Sequence, residues 1–252
     1  MTGWLIFDSF RLLRFHPRCH GPIRRALRAG ICAAIVIASG AAPGASANGR
    51  ALESVSAGPV QSTGPGQGTG ATILVLGDSI SAGYGIQREE SWVSRLGSRV
   101  AGEGPGWRVV NASVSGETTG GGLARLPDAL DEHDPEVVII ELGGNDGLRG
   151  YPVTRIRDNL NRMVALARGA GSQVLLVGMQ IPPNYGPRYT RAFAAVFEEV
   201  SEAHDVPLVP FILEQVALRP ELMQRDGIHP TGDAQGLLLD AVWPHLAPLL
   251  EG

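Results

Sequence analysis

Ile73-Leu74-Val75-Leu76-Gly77-Asp78-Ser79 decides how this chain is read. Four successive apolar residues describe a strand buried on both faces. The Gly-Asp-Ser that ends it runs into the small residues Ser81-Ala82-Gly83, which reads as a sharp turn with a hydroxyl at its tip. Outward from this point the apolar period switches back and forth. Residues 91–100 place Trp92, Val93, Leu96 and Val100 at helical spacing, 108–110 is a second short strand, and 122–130 is helical. The run 136–142 contains Val137-Val138-Ile139-Ile140 and reads as a buried central strand. A helix over 154–168 (Ile156, Leu160, Met163, Val164, Ala167 on one face), a strand over 173–178, a helix over 191–203 and a strand over 206–210 follow. Pro207 and Pro210 confine that fifth strand to an edge. A last helix, 233–250, is expected to bend or break at Pro244. Strands alternating with helices predict an α/β fold, a five-stranded parallel sheet with helices on both faces. Such sheets bind ligands outside the carboxyl ends of their strands.

Three further pieces follow Ser79 in fixed order: Ser115-Gly116, Gly143-Gly144-Asn145-Asp146 and Asp226-Gly227-Ile228-His229-Pro230. A serine hydroxyl is inert until a base takes its proton. His133, His204 and His245 sit in charged or helix-end settings that suit a solvated surface. His229 alone has a carboxylate three residues away in a tight turn. That spacing lets Asp226 accept from Nδ1–H and leaves Nε2 facing the serine. The N–H groups of Ser79 and Gly116 and the side-chain amide of Asn145 would supply the donors an oxyanion needs. Each piece alone also reads as an ordinary turn; the ordered set points to a serine esterase. Asp131, Glu132, His133 and Asp134 form the one metal-like run and read as solvated surface, so no metal or cofactor is expected.

At this point the chain resembles the SGNH (GDSL-type) hydrolases. Gly-Asp-Ser, a later Gly, Gly-x-Asn-Asp and Asp-x-x-His are that family's four blocks. The stretches GDSISAGYGI (77–86), NASVSGETT (111–119), GLARLP (122–127), ELGGNDGLRG (141–150), PNYGPRY (183–189), VPLVPF (206–211) and DGIHP (226–230) are similar to its bacterial periplasmic thioesterase, lysophospholipase and arylesterase branch. The resemblance covers essentially all of 71–250. It implies a three-layer α/β/α, flavodoxin-like fold and acyl transfer through an acyl-serine. It implies Ser79, Asp226 and His229 as the triad, and Ser79, Gly116 and Asn145 as the oxyanion hole. It also implies a substrate loop at 146–150, with Asp146, Gly147, Leu148 and Arg149, and an acyl groove lined by Ile181, Pro182, Pro183, Asn184 and Tyr185. The expected substrates are acyl-chain esters and thioesters: lysophospholipid, acyl thioester or aryl ester. A carbohydrate O-acetyl esterase is the alternative on the same fold, although no aromatic cluster suits sugar stacking. A catalytically silent lipid binder would have no need of Asp226 or Asn145.

The rest of the chain bounds the setting. Residues 1–30 carry six arginines against the single acid Asp8, an apolar run spans 31–42, and Ala45-Ser46-Ala47 ends it. This reads as a secretory signal over 1–47, cleaved to leave a periplasmic or secreted enzyme, the alternative being an uncleaved membrane anchor. Residues 48–70, rich in Gly, Ser and Pro, read as a flexible linker, and 71–252 as one hydrolase domain. Both cysteines, Cys19 and Cys32, fall inside the signal, which excludes disulfides and thiol chemistry beyond it. All 21 basic residues are arginines, excluding lysine chemistry. From Asn48 onward 15 arginines face 24 carboxylates, which argues against a nucleic-acid partner. The expected partner is a small acyl ester or lipid, met by a monomer with transient membrane-surface contact.

Overall fold

The computed structural model describes residues 70–102 and 106–251; the expected signal and nearly all of the expected linker lie outside the described residues. In chain order the elements are β1 (Ala71–Gly77), α1 (Ser79–Ala82), α2 (Trp92–Gly102), β2 (Trp107–Asn111), α3 (Thr119–His133), β3 (Val137–Glu141), α4 (Gly144–Leu148), α5 (Val153–Gly169), β4 (Gln173–Val177), α6 (Pro187–His204), β5 (Leu208–Val209) and α7 (Gln235–Leu250). The five strands are all parallel, in the order β2-β1-β3-β4-β5. This is the flavodoxin-like winding, in which the strand order reverses between β1 and β3. The α/β fold with a five-stranded parallel sheet is therefore as the sequence led one to expect, with β5 at an edge.

The apolar runs become strands because both faces are covered. Ile73–Leu76 of β1 and Val137–Ile140 of β3 are fully buried. On one face α5 packs against α3 and α6; on the other α2 packs against α7. Inside α6, Phe193 and Phe197 meet edge-on, 5.5 Å apart at 77°, a geometry the ring quadrupoles favour.

Several elements differ from expectation: α6 begins at Pro187, not 191, and the strand expected over 206–210 holds only Leu208–Val209. Helix α3 begins at Thr119, not 122, because Thr118 caps it by accepting from the Gly121 N–H and because glycine suits the contact: a Cβ on Gly122 would meet Leu142 at 2.3 Å. Gly144–Leu148, which reads as a turn running into a substrate loop, forms the short helix α4, capped by Gly143. Helix α7 starts at Gln235, after a 3₁₀ turn, and runs unbroken through Pro244 and Pro248. Both prolines, and Asp240 whose carbonyl Pro244 leaves without its helical donor, are exposed, so that carbonyl is open to solvent.

Where β4 ends, the backbone of the β5 strand exit comes unusually close. The Gly178 N–H donates to the Val209 carbonyl at 2.7 Å, and a Cβ on Gly178 would lie 2.2 Å from the Pro210 oxygen. Backbone cannot yield as a side-chain tip can. Gly178→Ala is accordingly expected to destabilise the fold by about 1–3 kcal/mol, read as a lowered urea midpoint at unchanged m-value.

Candidate active site

Adjacent strands β2, β1 and β3 each end in a segment of the predicted site, so Gly116, Ser79 and Asn145 share one rim of the sheet. Ser79 opens α1 directly after β1. Its turn is held from below by both neighbouring strands: Asn111 of β2 donates to the Ser81 carbonyl at 2.8 Å, and the Ser81 hydroxyl donates to Glu141 Oε2 of β3 at 2.7 Å. Gly77 must lack a side chain, since a Cβ there would stand 2.7 Å from Ser81 Cβ and 2.9 Å from Glu141 Oε2. Asp78 caps α1 through Oδ1, which accepts from the Ile80 N–H at 3.0 Å, and Gly83 closes it in the left-handed region at φ 73°.

His229 stands 150 residues further on, in a turn outside the sheet, yet its Nε2 lies 2.9 Å from Ser79 Oγ. Its Nδ1 lies 2.7 Å from Asp226 Oδ2. Asp226 Oδ1 accepts from the Ile228 N–H at 2.9 Å and the His229 N–H at 3.0 Å. The carboxylate thus braces the turn with one oxygen and the ring with the other. The imidazole hydrogen bond, then the two backbone N–H groups, draws the Asp226 carboxyl down to about 2. An ionised acceptor at Nδ1 fixes the proton there and leaves Nε2 as acceptor toward the serine. The Tyr84 ring lies tilted against the imidazole, centroids 4.5 Å apart.

Asn145, in the first turn of α4, donates from Nδ2 to Asp78 Oδ2 at 3.0 Å, which assigns its amide orientation. Gly116, past β2, has φ 80°, a conformation that favours glycine. Its carbonyl accepts from the Arg149 guanidinium at 3.1 Å. The predicted loop and groove also touch: the Tyr185 hydroxyl donates to the Leu148 carbonyl at 2.8 Å. Pro182, Pro183, Asn184 and Tyr185 are exposed and Ile181 is buried behind them.

Asp146 is a correction. Expected in the substrate loop, it is fully buried, and its carboxylate accepts from the Thr119 N–H at 2.8 Å and the Thr119 hydroxyl at 2.7 Å. A carboxylate so enclosed ties α3 to α4 and does not face a substrate. Gly147 is likewise packed inward, where a Cβ would stand 2.7 Å from Ile181 and 2.8 Å from Phe193. Sequence reasoning did not single out Asp78, Glu141, Tyr84 or Gln224. Of these, Asp78 lay within the Gly-Asp-Ser block without a role of its own, and Glu141 carried a local signal as an acid closing a buried β-branched run. Burial pushes its carboxyl well above the usual range, and the charge of Asp78 adds to that.

The model of the GDSL-like lipase/acylhydrolase family matches residues 75–237. Esterase TesA of Pseudomonas aeruginosa is 53% identical over 184 residues, which cover 73% of this chain and 92% of that protein. Thioesterase 1/protease 1/lysophospholipase L1 of Escherichia coli is 43% identical over 184 residues, covering 71% of this chain and 85% of that protein. Among solved structures, the psychrotrophic esterase EstA from Pseudoalteromonas, inhibited by monoethylphosphonate, superposes with a TM-score of 0.68 at 42% identity, over 72% of this chain and 99% of that one.

Proposed function

The chain belongs to the GDSL-like lipase/acylhydrolase family and is a serine esterase, and from that premise we propose that it hydrolyses acyl-chain esters and thioesters with Ser79, His229 and Asp226 as its triad. The continuous hydrogen-bonded line from Asp226 through His229 to Ser79, at 2.7 and 2.9 Å, carries this reading. His229 Nε2 takes the Ser79 proton as Oγ attacks the acyl carbonyl. The negative charge that develops on the carbonyl oxygen meets the N–H groups of Ser79 and Gly116 and the Asn145 amide. His229 then returns the proton to the departing alkoxide or thiolate. Water, deprotonated by the same imidazole, attacks the acyl-serine and releases the carboxylic acid.

The groove of Leu148, Ile181, Pro182, Pro183 and Tyr185 is proposed to take the acyl chain. Tyr84 and Ile228 add exposed apolar surface beside His229, which suits a monomer that meets lipid at a membrane surface. The arginine-rich leader and Ala45-Ser46-Ala47 place the enzyme outside the cytoplasm in this proposal. Lysophospholipid then becomes a better physiological substrate than acyl-coenzyme A. Hydrolysis of p-nitrophenyl esters from acetate to palmitate, with Ser79→Ala as the control, tests the reading. Saturable turnover that is lost in Ser79→Ala and rises with chain length beyond acetate is expected. Turnover confined to acetate would favour an O-acetyl esterase, and turnover surviving in Ser79→Ala would overturn the triad.

A further inference from the structure

The bonds that shape the His229 turn are internal to it. Gln224 N–H donates to the His229 carbonyl at 2.7 Å, Gly227 N–H to the Gln224 carbonyl at 2.9 Å, and Thr231 N–H to the Leu222 carbonyl at 2.8 Å, while Met223 bridges to Pro230. Together with the two bonds to Asp226 Oδ1, they fix the imidazole relative to Asp226. None of them fixes it relative to Ser79, and residues 225–228 are exposed.

We propose that Gln224 is the positioning residue that sets the Ser79–His229 distance, its side-chain amide fastening the base's turn to the loop that follows the nucleophile. Gln224 Nε2 donates one hydrogen to the Pro230 carbonyl at 3.0 Å, within the turn, and the other to the Tyr84 carbonyl at 2.7 Å, across to the nucleophile's loop. Tyr84 in turn donates its N–H to the Ser79 carbonyl at 3.1 Å. A ring of hydrogen bonds therefore runs from Ser79 to Tyr84, to Gln224, to His229 and back to Ser79 Oγ. The loop is built for this approach. Gly85 has φ 75°, and a Cβ there would stand 2.3 Å from Gln224 Oε1. The same seating lays the Tyr84 ring on the imidazole. A reacting pair misplaced by 1 Å loses about 10²-fold in rate, and a solvent-facing turn is where such an error would arise.

The inference rests on Ser79 and His229 being nucleophile and base, and its test separates the two. In the full chain, Gln224→Met keeps the length and removes both donors. It is expected to lower kcat by about 10- to 100-fold per active site titrated with a p-nitrophenyl phosphonate, with KM within about twofold of wild type. The rate of Ser79 phosphonylation should fall in parallel. The low-field Nδ1 proton resonance of His229 should persist, since Asp226 sits in the same turn. A kcat per titrated site equal to wild type, with only Tm lowered, would overturn the proposal, as would a loss carried wholly by KM. Should the methionine variant not fold, Gln224→Glu at pH 8 sets carboxylate oxygens against the same two carbonyls and must show the same kcat loss. Absence of Ser79-dependent turnover in the wild type would sink the hydrolase reading instead.

Discussion

Asp226→Asn is expected to lower kcat by about 10⁴ while leaving the turn folded. The argument is one of proton placement. Oδ1 of residue 226 faces two N–H donors, those of Ile228 and His229, so an asparagine must keep its carbonyl oxygen there. Its NH₂ then takes the Oδ2 position, 2.7 Å from His229 Nδ1. A donor at that place requires Nδ1 to accept, which moves the ring proton to Nε2 and points N–H at Ser79 Oγ. The base is then in the wrong tautomer, although every heavy atom is in place. Because the wild-type carboxyl is held down at about 2, Asp226 stays ionised through the neutral range and no titration of its own intrudes on the comparison. Steady-state kcat on a p-nitrophenyl ester checks this. A loss below tenfold would mean that something other than Asp226 sets the tautomer of His229.

The sequence was informative where chemistry coincides with punctuation. Gly-Asp-Ser, Gly-Gly-Asn-Asp and Asp-Gly-Ile-His each interrupt an apolar run or stand free of one. Their order along a β/α alternation, with Ser115-Gly116 between the first two, sets Ser79, Gly116 and Asn145 on one rim. Local pattern misled where a residue's behaviour depends on its surroundings. Three glycines at 120–122 look like a break, yet α3 begins with them, and at Gly122 Leu142 leaves no room for a side chain. Pro244 looks like a kink, yet its face of α7 is solvated. Asp146 reads as the first residue of a substrate loop, yet its direction is settled by Thr119, 27 residues away. Asp78, Glu141 and Gln224 act on partners 67, 60 and 140 residues distant in the chain, a range at which spacing says nothing.

Asp78→Asn is expected to trade activity for stability. The wild-type carboxylate is buried. Its Oδ1 accepts from the Ile80 N–H and its Oδ2 from Asn145 Nδ2, and Glu141, Asp146 and His229 are the charged or titratable groups around it. Burial pushes the carboxyl up to about 6, the two hydrogen bonds and His229 opposing the rise and Asp146 adding slightly to it. A carboxyl raised in the folded state stabilises the fold below its unfolded value of about 3.8 and loses that contribution as pH climbs through about 6. The neutral amide does not titrate, so the variant should unfold at higher urea than wild type above pH 6, the advantage vanishing below about pH 4. Catalysis should move the other way. The amide introduced by the substitution keeps its carbonyl on the Ile80 N–H and turns its NH₂ to Asn145. Asn145 must then rotate its own carbonyl into the position its NH₂ held. An acceptor lone pair then replaces a donor in the proposed oxyanion hole, and a misdirected donor there costs about 10²–10³ in kcat. Asn145→Ala should lose a similar factor without the gain in stability, which separates the two causes. An Asp78→Asn enzyme with wild-type kcat would mean that Asn145 does not depend on Asp78 for its orientation.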